Sequence, residues 1–130
     1  MSAAVYYKKK CLIECSSTFL LDLSEKMIKL AKGEGYADDE NLIVFISDLN
    51  YSWVFGLDDE LSDEEVKSYA KYAIQAIDQM FSEGYFILSP AGIQSRIEKN
   101  ISLDLPLRDH LPALEYKENL KELLKELDNS

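Results

Sequence analysis

Apolar residues recur at helical spacing in three stretches of the chain. Phe19, Leu20, Leu23, Met27, Leu30 and Ala31 follow a 3.6-residue period and predict a helix over 17–32. Ser16 or Ser17 can cap its start, and Gly33 and Gly35 stop it. Asp22 precedes Lys26 by four residues, as Glu25 precedes Lys29, the favourable order for pairs on an exposed helical face. The second stretch is the most regular. Val66, Tyr69, Ala70, Ala73, Ile74, Ile77, Met80 and Phe81 define one apolar face of a helix over 63–82. Ser62-x-x-Glu65 reads as a capping box at its start and Gly84 as its stop. Lys67, Lys71, Gln75, Asp78 and Gln79 are expected to face water. The third stretch, with Tyr116, Leu120, Leu123, Leu124 and Leu127 in one stripe, predicts a docked terminal helix over 115–127. It is too short for several coiled-coil heptads, and Glu118–Lys121 and Glu122–Lys125 stand at i,i+3.

The intervening segments are less regular. Residues 3–15 leave helix and strand open. Leu42-Ile43-Val44-Phe45-Ile46 is a short apolar run rich in β-branched residues. In a wider window, Leu42, Phe45, Ile46, Leu49 and Trp53 lie near one helical face, which favours helix. Tyr85-Phe86-Ile87-Leu88-Ser89 reads as a short strand ended by Pro90, with the alternating Ile101-Ser102-Leu103-Asp104-Leu105 as its antiparallel partner. One or two helical turns fit 91–99, and Pro106 and Pro112 bracket a loop holding Arg108, Asp109 and His110. The expected fold is mainly α, with a small β-hairpin or short strand pair, in a single globular domain spanning 1–130.

Composition narrows the function. At 130 residues and 47% hydrophobic content, the chain is long and apolar enough to bury a core without metal or disulfide support. Its 24 acidic residues against 14 basic ones give a formal charge of −10. That opposes nucleic-acid binding, in which basic side chains displace counterions. No secretory signal pattern and no membrane-length apolar run is present, so the expected location is cytoplasmic, without membrane partners. Cys11 and Cys15 are expected to be reduced thiols, because a redox pair is normally Cys-x-x-Cys and no ligand set for zinc accompanies them.

Catalytic patterns are wanting. His110 is the single histidine, and no G-x-S-x-G elbow is present. The runs Asp38-Asp39-Glu40 and Asp58-Asp59-Glu60 lack the oxygen spacing of a calcium loop, and Gly33-Glu34-Gly35 lacks the rest of a dinucleotide fingerprint. No catalytic residue, metal or cofactor is assigned. The helix over 63–82 followed by an apolar segment resembles the end of a winged-helix unit, but only Lys67 and Lys71 mark its face as basic, too few for a duplex reader.

The remaining feature is the density of acids. Six lie within Asp58-Asp59-Glu60-Leu61-Ser62-Asp63-Glu64-Glu65, directly behind an aromatic stretch from Tyr51 to Phe55. Acids at a helix start also serve its dipole, and Trp53 and Phe55 fit a core. A contact surface for a basic protein is expected at Asp38, Asp39, Glu40, Asp58, Asp59, Glu60, Asp63 and Glu64, with Tyr51 as an aromatic contributor. In size, in these acidic runs and in the lack of catalytic motifs, the chain resembles the small acidic bacterial immunity proteins that neutralise toxin domains. That resemblance implies stoichiometric occlusion of a basic cleft, such as that of a nuclease toxin. The alternatives are an adaptor or regulatory subunit built on a winged-helix-like module, and a small hydrolase using dispersed carboxylates. The sequence does not specify oligomeric state.

Overall fold

The computed structural model describes residues 2–33, 40–48 and 54–129. Its first elements are two strands, β1 (Ser2–Tyr7) and β2 (Lys10–Ser16), followed by helices α1 (Ser17–Gly33) and α2 (Glu40–Asp48). A short strand β3 (Val54–Gly56) leads into α3 (Leu57–Glu60), α4 (Asp63–Ser82), α5 (Pro90–Glu98) and α6 (His110–Asp128). The fold is mainly α with a small sheet, as expected.

The open segment 3–15 is a hairpin. β1 and β2 pair antiparallel, with Tyr7 opposite Lys10, and a register shift at Val5/Tyr6 leaves Leu12 as the extra residue of a bulge. Lys8 and Lys9 form the two-residue turn with φ of 46° and 70°, the left-handed pair that a type I′ hairpin requires. β3 returns parallel to β1, so the strand order is β2-β1-β3.

The predicted sheet partners at 85–89 and 101–105 are not strands, and this corrects the expected position of the β element. Residues 83–86 are turns, and residues 101–105 are coil and turn. The aromatic residues that suggested a strand are used in a ring cluster. Phe86 lies 4.7 Å from Phe81, 5.9 Å from Phe19 and 5.3 Å from His110 between ring centroids. Pro90 opens α5 at its first turn, with Gly92 N–H donating to Ser89 Oγ at 3.0 Å. The absence of a strand after α4 also removes the wing that the winged-helix resemblance requires.

α1 and α4 have almost the predicted limits. Ser16 Oγ accepts from Phe19 N–H at 3.1 Å, and the Ser62/Glu65 capping box is complete. The expected Asp22–Lys26 pair is replaced by tertiary contacts. Lys26 reaches Glu83 at 2.6 Å, and Asp22 accepts from the Tyr85 hydroxyl at 2.7 Å. On α6 the Glu118–Lys121 pair forms at 3.5 Å, whereas Glu122 meets Lys10 of β2 at 3.6 Å. The apolar run at 42–46 is helical within α2, and Leu49 and Trp53 lie outside the described residues.

α6 starts five residues before the predicted helix, so Arg108, Asp109 and His110 do not all lie in a loop. Asp109 fixes that start from a distance. Its carboxylate accepts Ser16 N–H at 2.9 Å and Ser16 Oγ–H at 2.6 Å. Pro112 falls in the first turn of α6, where its missing N–H removes no intrahelical bond.

The core lies where α4 packs between α1 and α6, with α6 also covering β2 and α2 lying against α1. α4 buries Tyr72 and Ala76 as well as most of its predicted face, with Ile74 and Phe81 half-buried, because it has neighbours on two sides. At the centre, the buried hydroxyls of Tyr69 and Tyr116 share a hydrogen bond of 2.7 Å, and Phe45 meets the Tyr69 ring edge-on at 6.0 Å. Burial raises the pKa of both tyrosines above the ordinary phenol value of 10.0.

Two outcomes follow from this core. Tyr69→Phe leaves the Tyr116 hydroxyl buried without its partner and should cost ~1–3 kcal/mol in urea unfolding, whereas Tyr69→Phe with Tyr116→Phe should recover most of that loss. The pH dependence has a definite sign. Cys15, Tyr69 and Tyr116 hold their protons more tightly folded than unfolded, so their contribution is fully present below the ordinary thiol value of 9.0 and is lost as pH rises through and beyond 10.0. Urea midpoints measured from pH 8 to 11 should fall above pH ~9, and a flat profile would contradict the buried proton set.

Candidate protein-binding surface

The acids from Asp58 to Glu65 gather at the junction of α3 and α4, but they do not share one role. Asp58 is a structural anchor: its Oδ1 accepts the backbone N–H of Lys8 at 3.0 Å and so holds the hairpin turn against α3. Asp58 remains exposed while it makes this contact. Glu64 pairs with Lys67 at 3.3 Å, and Lys67 also reaches Asp128 of α6 at 3.6 Å. The Glu64 contact is the leading cause of a raised Lys67 pKa. Glu65 closes the capping box through Ser62 N–H at 3.0 Å.

Asp59, Glu60 and Asp63 remain as exposed carboxylates with no ion pair among the described residues. The Asp59 carboxylate lies over Gly56. Glu60 ends α3, and Asp63 begins α4, where the helix N-terminus favours a negative charge.

The N-terminus of α2 meets the α3–α4 junction through Asn41, a residue that the sequence pattern does not single out. Its side-chain amide donates to Glu65 Oε2 at 2.9 Å and to the Glu60 carbonyl at 3.4 Å. The N-terminus of α2 is thereby fixed beside the α3–α4 junction, and Glu40 is the residue next to Asn41. Asp38, Asp39, Tyr51 and the Glu40 side chain lie outside the described residues.

The surface is not uniformly anionic. An open groove of about 660 Å³ beside Asp58 and Asp59 is also lined by Tyr6, Val54, Gly56 and the two turn lysines, Lys8 and Lys9. Lys8 Nζ lies 5.5 Å from the centroid of the Tyr7 ring. The Lys8-Lys9-Lys10 run is plain in the sequence, but only the hairpin places Lys8 and Lys9 beside acids fifty residues later.

Among the described residues, His110 makes ring contacts and no hydrogen bond to a nucleophile. Its ring stacks on Phe86 at an interplanar angle of 20° and lies 5.4 Å from Phe81. The Ser16 hydroxyl donates to Asp109, the neighbour of His110 in sequence, and accepts from Phe19 N–H. Among the described residues, no three His, Cys, Asp or Glu side chains gather as metal donors, and no helix is long and apolar enough to cross a membrane. The two thiols differ sharply. Cys11 is exposed, whereas Cys15 is buried and its pKa is pushed up to about 12, chiefly by burial and then by the Asp109 charge.

No family model matches the chain, and no curated protein or solved structure matches it either.

The geometry gives two expected outcomes. Asp58→Ala should lower Tm by several degrees, since it releases the hairpin turn, whereas Glu60→Ala should leave Tm within about a degree. A thiol reagent at pH 8 should modify one cysteine, Cys11, in the folded protein and both after denaturation. Rapid labelling of Cys15 in the folded state would contradict its burial.

Proposed function

We propose that this chain is a non-catalytic protein-binding module that captures a basic protein on its α3–α4 surface. The supporting observation is the exposed trio Asp59, Glu60 and Asp63, unpaired among the described residues and adjoined by the N-terminus of α2 through Asn41. Such a cluster on a chain of net charge −10 attracts a cationic surface over a Debye length and orients it before contact. A toxin-immunity role, in which the captured protein is a cationic nuclease and its cleft is occluded one-to-one, fits this chemistry. The groove holding Lys8 and Lys9 adds cationic groups at the rim, which would discriminate among basic partners by repelling a uniformly positive face.

The test separates capture from folding. Immobilised protein should retain a basic protein from a lysate of its source cell, and the same column bearing Asp59→Lys with Glu60→Lys should not. Association of the purified partner should slow by about tenfold in that variant at low salt, and the difference should shrink as salt screens the charges. Asp58 is left intact so that the hairpin anchor is kept. Retention of acidic or neutral proteins only, or an unchanged association rate at low salt, would overturn the reading.

A further inference from the structure

The hairpin turn is built from residues that disfavour its shape. Lys8 and Lys9 both take the left-handed conformation, at φ 46° and 70°. A residue with a Cβ is disfavoured there, and the sequence that most readily makes a two-residue type I′ turn is Asn-Gly. Such strain persists only where the surroundings over-determine the conformation. Here β1 and β2 pair up to the turn, with Tyr7 opposite Lys10, and Asp58 Oδ1 accepts the Lys8 N–H at 3.0 Å. That anchor uses the backbone of Lys8, so it does not call for a lysine at either position.

What lysine adds over Asn-Gly is two side-chain charges. Both residues are exposed, and neither forms an ion pair among the described residues. Both line the open groove of about 660 Å³ that Asp58 and Asp59 also line. Asp59 is seated there by a missing side chain: a Cβ on Gly56 would lie 2.3 Å from Asp59 Oδ2. One groove thus carries two lysines and two aspartates, with Tyr6 and Val54 as its less polar walls. A uniformly cationic segment gains at the carboxylates and is repelled by the lysines, whereas a segment bearing both signs gains at each. We infer that the Lys8-Lys9 turn is a specificity-determining element of the capture surface. It selects a basic protein whose docking segment brings a carboxylate to the turn beside the cations that meet Asp59. The inference rests on the capture reading and adds to it the charge pattern of the partner. Residues that strain the turn are retained because they reject partners lacking that carboxylate.

The test is Lys8→Asn with Lys9→Gly in the full chain. Lys99→Gln with Lys125→Gln serves as the control, because both lysines are exposed, lie outside the groove and remove the same charge. The probes are two labelled peptides of about ten residues, one of lysine alone and one of lysine with two central glutamates. The Asn-Gly protein should melt about 5 °C higher than wild type, since its turn is relaxed. At low salt its Kd for the all-lysine peptide, divided by its Kd for the mixed peptide, should fall about tenfold, whereas the control should keep the wild-type ratio within about twofold. An unchanged ratio in the Asn-Gly protein, an equal fall in the control, or an Asn-Gly protein that melts no higher than wild type would overturn the inference. The two ideas fail separately. Binding of both peptides that is lost on Asp59→Lys with Glu60→Lys, yet with a ratio indifferent to the turn, overturns this inference alone. A wild-type protein that binds neither peptide overturns the capture reading with it.

Discussion

The fold turns on two buried tyrosine hydroxyls that, among the described residues, hydrogen-bond each other. Tyr69 of α4 and Tyr116 of α6 are fully buried, and their 2.7 Å contact satisfies both polar groups within the core. A phenol removed from water without a partner costs more than an ordinary hydrogen bond gains. This pair therefore penalises any slide or rotation of α6 along α4 that would part the two oxygens. Leucine-rich faces tolerate such slippage far better, because apolar contacts are non-directional. Phe45 against the edge of Tyr69 extends the constraint to α2. Once α6 is set, Asn119 reaches the Leu12 carbonyl at 2.9 Å, and Asp109 arrives at the start of α1. The hairpin, α1 and α6 are then locked to one another by side chains far apart in sequence.

This dependence explains which features were legible beforehand. The limits of α4 are set by local chemistry, the Ser62/Glu65 box and the turn at Gly84, and they were readable to the residue. The start of α6 was not, because its anchor, Ser16, lies 93 residues from Asp109. The hairpin was hidden for a different reason. Lys8-Lys9 is not a dipeptide that favours two left-handed residues, and the Leu12 bulge breaks the alternation of β2. The opposite error occurred at 85–89, where an aromatic run with β propensity is held by rings rather than by a neighbouring strand. Period and propensity report what a segment would do beside an average neighbour, and here the particular neighbours decided.

The acidic surface shows the same division. That acids cluster between 58 and 65 is a property of the sequence, and the structure keeps them together because α3 and α4 follow one another directly. Which of them are spent internally is a tertiary fact. Asp58 is taken by a turn fifty residues earlier, Glu64 by Lys67 and Glu65 by the cap and Asn41. Asp59, Glu60 and Asp63 are left without an ion pair among the described residues.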